Sequence, residues 1–117
     1  MLTWAALLAR WTEFAKSAVA LPRDGEGGRL RRAVPALIAL QAVTHALAEL
    51  EQLPESERAL GLDRAEVLIK RHAADLAGIW GPDPPPASVA EVGEDAQQAL
   101  EAAAAAYRAP RRGPAPN

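Results

Sequence analysis

Two histidines carry most of the chemical potential of this 117-residue chain. His45 stands in an apolar stretch with Thr44 beside it and Gln41 one helical turn before it, so Gln41 and His45 share a face. His72 interrupts a second apolar stripe in the same way. Brought together with an acid such as Glu49 or Asp75, the two imidazoles would hold a zinc-like ion or act as an acid–base pair near neutral pH. Without a cavity, the same residues make a hydrogen-bonded polar layer that fixes helix register. A third arrangement leaves one or both histidines at the surface. Neither Glu-x-x-His nor His-Glu-x-x-His occurs in the chain. The spacings used by di-iron bundles and zinc proteases are therefore missing, and no metal or cofactor is assigned.

Arg29, Arg31 and Arg32 form the second group, at the expected start of a helix where the dipole opposes positive charge. They are candidates for binding a phosphate or an acidic partner. The glycine-rich stretch before them lacks the lysine and the serine or threonine of a phosphate-binding loop, and no strand leads into it. The alternative is a solvated face paired with Glu26 and its neighbours. Arg108, Arg111 and Arg112 are few, with no interleaved aromatics beyond Tyr107, and read as a solubility tail rather than a nucleic-acid contact. No Ser-His-Asp or Ser-x-x-Lys arrangement can be assembled.

Positioning these residues is a task for helices. Half of the residues are hydrophobic, but much of that is alanine, and only 4% are aromatic. Such a chain forms strong helices around a thin core, so Trp4, Trp11, Phe14, Trp80, Tyr107 and the leucines must supply much of the packing. The absence of cysteine excludes disulfides, thiolate zinc sites and a cysteine nucleophile. A net charge of −2 gives no basic field to attract nucleic acid or an anionic membrane.

The first helix is predicted from Leu2 to Leu21, with Trp4, Leu7, Leu8, Trp11, Phe14, Ala15, Ala18 and Leu21 on one stripe. Pro22 stops it and residues 24–28 form a loop. The second runs from Arg29 to Leu53 and is apolar nearly all round between Ala33 and Leu50, which suits a central helix or a subunit interface. Pro35 either kinks this helix or marks its regular start. Glu55 to Leu60 is read as a short turn closed by Gly61, and Asp63 with Glu66 as the capping box of a third helix ending at Trp80. A proline connector comes next. Ser88 and Glu91 form the capping box of a fourth helix that runs to Arg108.

Four helices with short connections predict an all-α, up-down-up-down antiparallel four-helix bundle over 1–108, with a disordered tail over 109–117. The alternative is helical pairs completed by a dimer partner. With a turn midpoint near Glu57, His45 lies about 12 residues before it and His72 about 15 after, so their heights differ by only about 4 to 5 Å. Similar counts bring Gln97 or Gln98 and Trp4 to the same level. The candidate ligand site is thus His45, His72, Gln41 and Thr44, walled by Trp4.

Met1 to Ala9 is apolar, but no positive charge precedes it and Arg10, Glu13 and Lys16 break the apolar run beyond it, unlike a secretory signal. No apolar run approaches the roughly 18 residues that span a membrane. The expected setting is the cytoplasm. The leading functional expectation is a non-enzymatic helical interaction or scaffold protein that forms a homodimer, motivated by the apolar circumference of the second helix and the tryptophan stripe. The alternatives are a small-molecule or metal-binding bundle and a small enzyme, both using His45 and His72.

Overall fold

The computed structural model describes residues 1–19 and 27–108. The expected stop at Pro22, the loop residues 24–26 and the tail over 109–117 lie outside these residues. The order is α1 (Trp4–Ala18), α2 (Gly27–Ala48), a 3-10 turn (Leu50–Gln52), α3 (Glu55–Trp80) and α4 (Ala87–Arg108). Consecutive helices run antiparallel, and the described residues form an all-α bundle without strands.

Local chemistry explains most boundaries. Thr3 caps α1 by accepting from the Ala6 N–H at 3.1 Å, which satisfies one of the donors that a helix start leaves open. The helix ends at Ala18, before the predicted Leu21, because Val19 turns extended. Gly27 and Gly28, expected in the loop, are the first residues of α2. Pro35 lies inside that helix, so the regular helix does not start there. Gly81 ends α3 with φ at 57°, a left-handed backbone that glycine adopts without steric cost. The start of α4 falls at Ala87, and the Val89 and Ala90 N–H groups both reach the Pro86 carbonyl at 3.0 Å. Ser88 is therefore inside the helix rather than its cap.

The third helix departs most from expectation. Pro54 precedes its first turn, where Glu55 and Glu57 place negative charge favourably at the dipole. The helix then runs unbroken through Gly61 and Asp63, so neither the stop nor the capping box predicted there exists. Gly61 is bare because Trp4 needs the space: a Cβ at this position would sit 2.7 Å from Trp4 Cε3 and 3.1 Å from Leu50 Cδ1.

Helix α2 is central. It packs along α1, α3 and α4, while α3 also meets α4 and touches α1 at Trp4 and Gly61. Helices α1 and α4 make no substantial contact. This answers why α2 is apolar nearly all round. Ala33, Ala36, Leu40, Val43, Ala46 and Leu47 of α2 join Trp4, Leu7, Ile69, Leu76, Trp80 and Val89 in one buried cluster. Its alanines let the helices approach closely, while its Leu40, Val43 and Leu47 pack with the large side chains of α1 and α3.

Candidate functional site

The expected meeting of His45 and His72 does not occur. With α2 ending at Ala48 and α3 starting at Glu55, the α2–α3 connection centres near residues 51–52 instead of Glu57. His72 lies beside Arg32, Pro35 and Ala36, whereas His45 lies more than two turns further along α2. Nine residues of offset correspond to about 14 Å along the axis. The two rings also face different partners, since His45 meets α1 and His72 meets the early part of α2.

No polar or charged side chain is fully buried among the described residues, so the predicted polar layer does not cross the core. Thr44 satisfies itself by donating from Oγ1 to the Leu40 carbonyl at 2.7 Å. Gln41 is half-buried, one turn before His45. Gln97 and Gln98 are exposed, and Gln97 Nε2 donates to Glu101 at 3.1 Å. Trp4 is only 3% exposed and belongs to the core, not to a pocket wall. Among the described residues no three of His, Asp and Glu are grouped to hold a metal ion.

Two other sites emerge. The first is aromatic and joins α1 to α2. Trp11 and His45 stack with ring centroids 4.5 Å apart at 17°. Phe14 stands edge-on to both rings, at 5.3 Å from Trp11 and 5.8 Å from His45. Glu49, one turn beyond His45, accepts from Trp11 Nε1 at 2.9 Å and sits 3.4 Å from Arg10. The acid expected to join the histidines instead orients a tryptophan. Phe14, expected in the core stripe, is 51% exposed, and Ala18 is exposed as well. Ala15 between them is fully buried, so the side of the stripe that carries Phe14 and Ala18 is the part without cover among the described residues.

Helical rotation extends this face. His45 and Glu49 point to α1, and Leu47 and Leu50 border α4 beside Ala103 and Tyr107. At 3.6 residues per turn, Val34, Leu37, Gln41 and Ala48 lie between those two directions, toward the gap between α1 and α4. Val34, Leu37 and Gln41 are half-buried and Ala48 is exposed.

The second site is a cleft between α2 and α3, of about 520 Å³, lined by Arg32, Pro35 and Ala36 on one side and His72, Asp75 and Ile79 on the other. It combines a predicted ligand residue, His72, with a predicted anion-binding residue, Arg32. Their proximity depends on inter-helix register and carries no local signature. The other arginines of the triplet diverge: Arg29 pairs with Asp83 of the proline connector at 2.9 Å, and Arg31 is exposed; the expected partner Glu26 lies outside the described residues. No described helix is long and apolar enough to cross a membrane. No protein-family model, curated protein or solved structure matches this chain.

Proposed function

We propose that this chain is a helical interaction domain that pairs with a second copy of itself through the face built on Phe14, Trp11 and His45. The observation that carries the reading is the half-exposed Phe14, held edge-on by two stacked rings at the border of an α2 face that α1 and α4 leave open. Rigid aromatic side chains lose little conformational entropy on binding and are enriched at the centres of interfaces. Here the Glu49 hydrogen bond to Trp11 fixes the platform in advance, which lowers the ordering cost of association. The half-buried Val34 and Leu37 continue the patch along α2. In a symmetric pair the same patch would serve on both partners.

Light scattering after size-exclusion chromatography tests this reading across micromolar concentrations. The wild-type chain is expected as a dimer and Phe14→Asp as a monomer with unchanged helicity. Val67→Asp is the matched control, because Val67 is an exposed apolar residue on α3; it should remain dimeric. A wild-type monomer throughout, or equal dissociation by both substitutions, would reject the proposal.

A further inference from the structure

The cleft between α2 and α3 differs in chemistry from the aromatic face. Pro35, Ala36 and Ile79 give it apolar walls, while Arg32 of α2 and His72 and Asp75 of α3 are polar residues of its lining; one guanidinium nitrogen of Arg32 lies back along α2, 3.0 Å from where a Cβ on Gly28 would sit. Arg32 is exposed and has no ion-pair partner among the described residues, unlike Arg29. His72 is 21% exposed, yet its Nδ1 is buried and without a hydrogen bond. Asp75 Oδ2 stands 3.4 Å from that nitrogen, too far for a good hydrogen bond but close enough that a small ring rotation would make one. The accessible part of the ring therefore lies away from Nδ1, and the half-exposed Asp75 carboxylate stands beside the buried nitrogen.

We infer that this cleft binds a small organic carboxylate, with Arg32 gripping the carboxylate, His72 Nε2 supplying a second polar contact and Pro35, Ala36 and Ile79 receiving the apolar body. The guanidinium presents paired donors that match the two carboxylate oxygens. Asp75 would orient the imidazole through Nδ1, leaving Nε2 for the ligand. A monoanion suits one arginine in the presence of the Asp75 carboxylate, which would repel a more highly charged ligand. This inference is independent of self-association, because it uses a different pair of helices.

Benzoate is the probe, titrated into nitrogen-15-labelled protein, with neutral benzamide as its near-isosteric control. Benzoate is expected to shift the amide signals of 32–36 and 72–79 saturably, and benzamide to leave them unmoved. Arg32→Gln should weaken benzoate by about tenfold or more, the loss expected for a charge-assisted hydrogen bond. Gly78→Leu should also weaken it, because Gly78 borders the cleft and nothing lies within 4 Å of an added Cβ. Unsaturable shifts, equal responses to benzamide, or an Arg32→Gln affinity equal to wild type would each overturn the assignment.

Discussion

Trp4 rests against the backbone of Gly61, so close that a single added carbon would sit 2.7 Å from its ring. The contact joins the first turn of α1 to the second turn of α3. Gly61→Ala gains about 1 kcal/mol in helix propensity but must displace a rigid indole with only 3% exposure. Overpacking typically costs about 1–3 kcal/mol, so the net effect should be destabilising. Gly93, in α4, has nothing within 4 Å of an added Cβ; Gly93→Ala should stabilise by about 0.5–1 kcal/mol. Thermal unfolding of the two variants should therefore move in opposite directions, and a shared direction would contradict the packing of Trp4.

The same junction contains a cap shared between helices. Glu57 Oε1 accepts from the Trp4 N–H at 2.8 Å, placing a carboxylate from α3 at the positive end of α1. Urea unfolding of Glu57→Ala should show a loss of about 1–2 kcal/mol, and Glu57→Gln a smaller one, since the amide keeps an acceptor but not the charge. If Gln and Ala cost the same, the hydrogen bond contributes nothing beyond charge.

These contacts also explain what could be read from the sequence. The apolar circumference between Ala33 and Leu50 pointed to a central helix or a subunit interface, and α2 is central, because the alternation of alanine and leucine around it suits packing on three neighbours. Gly61 misled for a physical reason: a glycine after a charged turn looks like a helix stop, whereas here it is a notch for a tryptophan distant in sequence. A stop at Gly61 would put the turn midpoint near Glu57 and His72 almost level with His45, whereas a helix unbroken from Glu55 puts that midpoint near residues 51–52. Phe14 belonged to the apolar stripe of α1 by spacing, but spacing cannot show how far a neighbouring helix covers a stripe. Arg32 and His72 were each visible as anomalies. Their sharing of a cleft required the true α2–α3 register.

Glu49 interacts with two donors of unequal value. Its bond to Trp11 Nε1 is short and partly buried, whereas Arg10 is 61% exposed at 3.4 Å. Exposed ion pairs contribute little, typically about 0–1 kcal/mol. Arg10→Ala should leave stability within about 0.5 kcal/mol of wild type. Glu49→Ala strips the indole N–H of its acceptor and should cost about 1–2 kcal/mol, with altered near-ultraviolet dichroism from Trp11. Equal costs for the two substitutions would mean that the ion pair, not the indole bond, holds the aromatic platform.

Pro35 is an exposed proline inside α2, eight residues beyond its first position. A proline here has no N–H for the helix ladder, and its ring crowds the preceding turn, a penalty of about 3 kcal/mol in a helix interior. Part of that penalty is offset because proline also restricts the unfolded chain, by about 0.4–1 kcal/mol. Pro35→Ala should therefore stabilise the domain by about 2 kcal/mol and raise its urea midpoint at constant m-value. The ring also forms a wall of the Arg32–His72 cleft and of a separate apolar groove with Leu8, Ile38 and Leu68. A stabilised Pro35→Ala variant with weaker benzoate binding would show that proline is kept at this position for the shape of the cleft rather than for stability. A destabilised variant would show that α2 depends on the packing of the proline ring.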